Sequence, residues 1–362
     1  MPEVLDDAAR ETVAASFRAS VAVYETMATP LYAEFSRHAA DDPAMLDLAR
    51  HAMAGSRATH LYSAVHYLLL GEPGDPLARY FATIDADPLP PAGAYAELSR
   101  FCRQHRDELR ELLRQRSVQT TYAERCRAIL PPMCEVARAT GEPLNLIEIG
   151  CSAGVLLVFD KFAYHLNGQG VIGDPDAPLL LEGDLQGGPQ LFIPRIGRRV
   201  GLDLHTIDAT STDERRWLLA LCFPELRDEQ LRLAKALDVV AATDITFHEG
   251  DALHQLPATM AATPDPLCIF HSACLFYWSP EARAALEEML IAASRTREFW
   301  RIGIEPSATF GDWMKGAPAS GGSASSSRRS GEISIYHYRG GEARRRSVAR
   351  PSPDYGTITW LE

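Results

Sequence analysis

The chain has 362 residues, 46% of them hydrophobic, enough to bury a substantial core and to divide into two domains. Its 36 basic and 48 acidic residues leave a formal net charge of -12, which would repel a phosphate backbone and argues against nucleic acid as a general partner. Seven cysteines, odd in number and without a C-x-x-C pair, argue against a disulfide framework and a zinc knuckle and point to free thiols in a reducing compartment.

The N-terminus, "MPEVLDDAARETVAASF", begins acidic and has no apolar run of signal-peptide type. No later segment reaches the uninterrupted apolar length of a membrane span, so a cytoplasmic protein without a membrane partner is expected. From residue 8 to about 139 the periodic segments are helical, the clearest being "AYAELSRFCRQHRDELRELLRQR". There Leu98, Phe101, Cys102, Leu109, Leu112 and Leu113 recur at helical spacing among charges, which predicts a helical bundle over residues 1–140. His60, Tyr62, His66 and Tyr67 of "HLYSAVHYLLL" share one predicted helix, with His60 and Tyr67 on one face. A substrate contact is open to them, although a histidine on an apolar helix is more often a hydrogen-bonded core residue. In "TYAERC" Thr121 and Glu124 have the spacing of a capping box, and Pro131 and Pro132 are expected to kink or interrupt the helix it starts.

After "ATGEP" short apolar runs alternate with helical stretches, which predicts an α/β domain over residues 141–362 with a parallel sheet and crossover helices. Strands are expected at "LNLIEI", "RVGLDL", "ITFHEG", "LCIFHS" and "FWRIGIE". Two more, "EISIYHY" and "TITWLE", are separated by a basic stretch too short for a crossover helix and should pair antiparallel. The run Arg344, Arg345, Arg346 within that stretch reads as a solvated loop, and Asp160 reads as a solvated surface charge in the helix after residue 154. A Gly- and Ser-rich segment at about 316–331 should be a mobile loop.

The stretch "LIEIGCSAGVLL" at 146–157 fits two catalytic patterns. As G-x-S-x-G it is a serine hydrolase elbow, for which Asp203 and His271 come later in the required Ser…Asp…His order. That elbow needs several strands and a glycine-rich oxyanion loop before it, whereas the upstream segment is helical. The dinucleotide pattern G-x-G-x-x-G fits poorly, because positions 150, 152 and 155 are Gly, Ser and Val.

Gly150, Ser152 and Gly154, with Glu148 two residues before the first glycine, resemble the first motif of class I S-adenosylmethionine-dependent methyltransferases. The resemblance implies a Rossmann-like methyltransferase-type sheet with a terminal antiparallel hairpin, preceded by an N-terminal helical domain. It implies that Glu148 lies near the amino group of the cofactor's methionine moiety, with the turn from Gly150 to Gly154 passing close by. It further implies Asp203 on the ribose hydroxyls, Asp251 of "HEGDA" on the adenine amine, and His271 and Ser272 where the methyl group and substrate meet. His271 would be the general base, and Tyr277 and Glu305 lie close to strand ends too. Asp203 lies far beyond Gly154, where a direct crossover places its acidic residue about 20 residues on. The intervening "YHLNGQGVIGDPDAPLLLEGDLQGGPQLFIP" is expected to be a small hairpin excursion on the ligand side. The fourth strand lacks the Asn/Asp-Pro-Pro-Tyr motif, which disfavours an exocyclic amine as substrate.

At whole-chain scale "YSAVHYLLLGEPGDPLARYF", "RSVQTTYAERCRAILPP", "LIEIGCSAGVLLVFDKF" and "RRVGLDLHTIDAT" resemble a bacterial protein family of unknown function. The family's Val-Gln-Thr-Asn is here Val118-Gln119-Thr120-Thr121. The leading expectation is an S-adenosylmethionine-binding protein that methylates a small-molecule substrate. The alternatives are a non-catalytic Rossmann-like binding protein and a serine hydrolase. The oligomeric state stays open.

Overall fold

The structure, a computed structural model, describes residues 6–166, 168, 170–307, 309 and 331–361. The predicted Gly/Ser loop at 316–331 lies outside the described residues except for Gly331. Contacts divide the chain into two units, Met1–Thr120 with Ser211–Ala234, and Thr121–Thr210 with Lys235–Glu362.

The first unit opens with helices α1 (Asp7–Thr26), α2 (Pro30–Ala39), α3 (Pro43–Ala49), α4 (Arg57–Gly71), α5 (Ala94–Gln104) and α6 (Arg106–Gln115). Short acidic side chains start two of them: Asp6 accepts from the Ala9 amide of α1 at 2.7 Å, and Asp42 from the Ala44 amide of α3 at 2.9 Å. The periodic stretch 94–116 is broken at His105, whose ring stacks on Phe101 with centroids 4.2 Å apart.

The second unit begins with α7 (Cys126–Thr140), preceded by a single 3₁₀ turn, Ala123–Arg125. Tyr122, not Thr121, is the N-cap of that turn and makes no side-chain capping bond, so the expected cap is not formed. Nor do Pro131 and Pro132 interrupt α7, although each lacks an amide proton. Both are buried together with Ile129, Leu130 and Met133, and packing on every side outweighs the lost ladder bonds. Because α7 packs on the sheet, the contact boundary falls after Thr120 and not near 140.

The chain continues through β1 (Leu144–Ile149), β2 (Ala163–Leu166), β3 (Leu180–Gln186) and β4 (Ile196–Asp203). Helix α8 (Thr212–Ala220) belongs to the first unit, where the Trp217 ring lies 5.9 Å from both His60 and Tyr67. His66 is satisfied at both ring nitrogens, by the Ala220 carbonyl at 3.0 Å and Thr83 Oγ1 at 2.9 Å. His60 accepts the Met53 amide at 3.1 Å, and burial lowers its pKa to about 4. These are neutral core histidines. Helix α9 (Arg227–Ala241) divides between the units at Ala234.

The remaining elements are β5 (Thr246–Glu249), α10 (Ala252–Ala262), β6 (Leu267–Ser272), α11 (Pro280–Ala293), β7 (Phe299–Pro306), β8 (Gly331–Arg339), β9 (Glu342–Pro351) and β10 (Thr357–Trp360). The chain is thus α/β, with a mixed sheet of order β2-β3-β10-β9-β8-β7-β6-β1-β4-β5. The five strands from β5 to β7 in that order are parallel.

Two expectations are corrected. The basic stretch is not a loop: it is β9, which pairs antiparallel with β8 on one side and β10 on the other, so the two end strands are not partners. Residues 342–346 alternate in exposure, and half-buried Arg345 ion-pairs with Glu332 and lies over Tyr336 at 5.9 Å, which is strand behaviour hidden under charge. The Gly- and Pro-rich insertion is more than a hairpin, although an isolated antiparallel bridge joins Tyr164 and Ile172 within it. It supplies β2 and β3, which pair parallel, and β3 pairs parallel with β10 at the sheet edge remote from β5.

Candidate functional site

Strand β1 is buried along its whole length and lies between β4 and β6. After β1 the chain reaches β4 on one side and later β6 on the other, so the strand order reverses between β1 and β6. In such sheets the crevice at the carboxyl ends beside the reversal is where ligands collect. Glu148 is in register with Gly201 and Phe270, and Ile149 with Leu202 and His271. Because side chains alternate, Glu148 and Ser272 share one face of the sheet end while His271 and Glu305 share the other.

The turn after β1 is left-handed at Gly150 (φ 76°), Ser152 (φ 52°) and Gly154 (φ 79°). A Cβ on Gly150 would stand 2.4 Å from Cys274 Sγ, so only glycine lets the segment after β6 close on the turn. Asp203 fastens the turn: its Oδ2 accepts the Ser152 amide at 2.7 Å and its Oδ1 the His205 amide at 3.1 Å.

The α-helix expected after the turn does not form. In its place Val155–Lys161 is a 3₁₀ segment, kinked at Val158, and every residue from 155 to 159 is buried. With no polar face the segment cannot lie on the sheet as an amphipathic helix. The strand-turn-helix context of a hydrolase elbow is therefore missing around Ser152. Asp160 is likewise not a solvated charge. It makes a two-pronged bond to Arg199 at 2.7 and 2.8 Å, with the two side chains only 9% and 6% exposed.

Five buried polar atoms at these strand ends have no hydrogen-bond partner among the described residues: Glu148 Oε2, Ser152 Oγ, His271 Nε2, Ser272 Oγ and Glu305 Oε2. Burial, with the Asp203 charge second, holds the Glu148 carboxyl well above the usual carboxylate range, against a weaker pull from Arg125. His271 Nδ1 lies 2.8 Å from Glu305 Oε1, and the same oxygen accepts the amides of Cys274 at 3.0 Å and Leu275 at 2.9 Å. Burial lowers the His271 pKa, partly offset by Glu305, so the ring is neutral near pH 7. Burial also pushes the thiols of Cys151 and Cys274 well above their usual range, which leaves no thiolate nucleophile among them.

Two predicted residues stand apart from this group. Tyr277 is 74% exposed on a 3₁₀ turn, its ring against Phe276. Asp251 is exposed at the N-cap of α10, where its Oδ1 accepts the Leu253 amide at 2.8 Å. Cavities of about 460 and 390 Å³ lie elsewhere in the second unit, one beside Lys161, Arg198 and Asp244, the other on the sheet face beside Trp300 and His337. Among the described residues no group of three His, Cys, Asp or Glu side chains could hold a metal ion, and no helix is long and apolar enough to cross a membrane.

Sequence reasoning did not connect Glu305 to His271 or place Cys274 in the turn. The first link had a signal, an acidic residue ending the strand that neighbours β6. The second had none, because the contact of Cys274 with Gly150 depends on how two loops fold back.

A family model described as "Uncharacterized protein conserved in bacteria (DUF2332)" matches residues 14–360. No curated protein and no solved structure matches the chain.

Proposed function

The chain belongs to the bacterial family DUF2332, and for it we propose an S-adenosylmethionine-binding second unit that methylates a small molecule. The observation that carries this reading is the set of five bare, buried polar atoms at the carboxyl ends of β1, β6 and β7. Buried polar groups are almost always paired, so such a set calls for a polar ligand. Two of the five belong to Glu148 and Glu305, which when ionised favour a ligand bearing a cation.

The residues fit the cofactor's chemistry in parts. Glu148 would take the ammonium, and the left-handed turn from Gly150 to Gly154, packed against Cys274 and Phe247, would pass beside it. Asp203, which already holds the turn, would also meet the ribose hydroxyls. Ser272 offers a hydroxyl on the Glu148 face. Five parallel strands continued by an antiparallel β8 and β9 support the reading, while the parallel β10, β3 and β2 pairings beyond them are additional to the expected sheet. Bound S-adenosylmethionine would supply a methyl group on a sulfonium, whose departure leaves the C–S electron pair on sulfur. The chain's part is to orient the partners and exclude water, and His271 Nε2 receives the proton that the accepting atom gives up. Tyr277 has no step in this scheme. The free thiols agree with a cytoplasmic setting.

Calorimetric titration of the whole chain with S-adenosylmethionine, its demethylated product, NAD and ATP is the test. The first two should bind and the others should not. Absence of measurable binding by S-adenosylmethionine ends the proposal, and binding without any methylated product reduces it to a binding protein.

Asp251 separates a cofactor contact from a helix cap. Asparagine caps about as well as aspartate, so Asp251→Asn should leave stability within about 0.5 kcal/mol of wild type. An adenine acceptor would lose its charge, so affinity should fall several-fold, and less for a cofactor in which hypoxanthine replaces adenine. Equal weakening for both bases would leave Asp251 as a cap alone.

A further inference from the structure

Glu305 Oε1 carries three contacts, and two come from backbone N–H groups that can only donate. An oxygen that accepts two amides is an acceptor toward its third neighbour as well, so His271 Nδ1 must hold the hydrogen in that contact. A neutral imidazole has one N–H, which leaves Nε2 with a bare lone pair. Among the described residues Nε2 has no partner, and neither has Glu305 Oε2, and both residues are almost fully buried, at 0% and 2% exposure. The register explains how they meet: His271 pairs with Gly303, and Glu305 stands two residues further along the same face of β7.

We propose that Glu305 is a positioning residue that fixes His271 as the Nδ1–H tautomer, and that Nε2, which points away from Glu305, is a subsite for a hydroxyl or amine group of the ligand. Nε2 is then an acceptor. A donor-bearing group satisfies it, whereas a carboxylate, phosphate or carbonyl oxygen would set lone pair against lone pair with no proton between. Ser272 does not contribute, because it turns to the opposite face. In the methyl-transfer reading, on which the term substrate rests here, the accepting atom is then an O–H oxygen or an N–H nitrogen. Its lone pair forms the new bond to carbon, and its proton goes to Nε2. The resulting imidazolium keeps its Nδ1–H on Glu305, where the carboxylate stabilises the added charge.

The bland rival is that Glu305 clamps the segment from Ala273 to Leu275 and His271 fills space. Multiple-bond ¹H–¹⁵N spectra of protein labelled at histidine nitrogen distinguish the two, with ethanolamine and acetate as small probes. Wild type should show His271 protonated at Nδ1 only, and ethanolamine should move the Nε2 resonance while acetate does not. Glu305→Gln keeps an oxygen for the two amides and so should keep fold and tautomer. It removes the carboxylate charge that favours the imidazolium, so the pH at which Nε2 takes up a proton should fall. A proton on Nε2 in wild type, an equal response to acetate, or a Nε2 resonance that ethanolamine leaves unmoved would each overturn the proposal. Calorimetry with S-adenosylmethionine on the same samples keeps the cofactor reading separate: binding there with a silent Nε2 leaves that reading standing and removes only the subsite.

Discussion

Replacing Arg301 by alanine is expected to destabilise the second unit by about 3 to 5 kcal/mol, as removal of one partner from a buried ion pair does. Arg301 sits on β7, two residues before Gly303, and is 1% exposed. Its guanidinium bonds Glu287 Oε2 of α11 at 2.7 Å and lies 3.9 Å over the Tyr336 ring. The Tyr338 hydroxyl donates to the same Glu287 carboxylate at 2.9 Å. Alanine would leave a buried carboxylate with one neutral donor and a void between two tyrosine rings, so two costs add. A melting temperature lower on the order of 10 °C should result. Adding Glu287→Leu to Arg301→Met should recover part of the loss, because an apolar pair of similar volume often replaces a buried ion pair at little cost. A urea unfolding curve that places Arg301→Ala within about 1 kcal/mol of wild type would show that water reaches the pair.

The same strand illustrates what sequence reveals and what it conceals. "FWRIGIE" reads as a buried strand from its apolar residues, and β7 forms there. That Arg301 and Glu305 both face inward is a consequence of period two, yet their partners are on α11 and β6, which no local pattern names. Asp160 misleads for the same reason, since its partner Arg199 arrives only through the parallel pairing of β1 with β4. Strands β1, β4, β6 and β7 were legible because burial on both faces over most of their length makes continuous apolar runs, whereas β5 is a half-exposed edge strand. Strands β2, β3 and β9 were not. Strand β2 is only four residues long, β3 carries Glu182, Gly183 and Asp184 at its centre, and arginine fills β9; edge or half-exposed strands need only one apolar residue in two.

For the site, the turn at Gly150 and the charge at Glu148 were visible as departures from what a buried strand should contain. The tautomer of His271 was not. It depends on two backbone amides, Cys274 and Leu275, that reach Glu305 from the next segment of the chain. Asp203 shows the opposite limit. Sequence marks it as a ligand residue, while in the fold its oxygens also tie Ser152 and His205 into the turn, so a loss at Asp203 mixes ligand and loop.

Glu148→Gln should raise stability at neutral and higher pH while it weakens ligand binding, two effects of opposite sign from one atom. Burial first and Asp203 second raise the folded pKa of Glu148, so the native state holds one proton that the unfolded chain has released. Below about pH 4.3 the carboxyl is protonated in both states and its contribution is fully present. As pH rises from there through the folded pKa, that contribution is lost at up to about 1.4 kcal/mol per pH unit. The glutamine variant has no such slope, so the stability difference between the two proteins should widen with pH in parallel unfolding curves. A cationic ligand reverses the preference. It favours the ionised carboxylate, so binding should expel a proton and tighten as pH rises, which calorimetry in buffers of different ionisation enthalpy reads directly. Loss of a charge-assisted bond of about 1.5 to 3 kcal/mol should weaken S-adenosylmethionine roughly tenfold to a hundredfold in Glu148→Gln, and proton release should vanish with it. If wild type binds without releasing protons, or if the variant binds as tightly, Glu148 does not meet the ammonium. If the stability curves stay parallel across pH, the carboxyl is ionised in the folded chain and the bare Oε2 has found water.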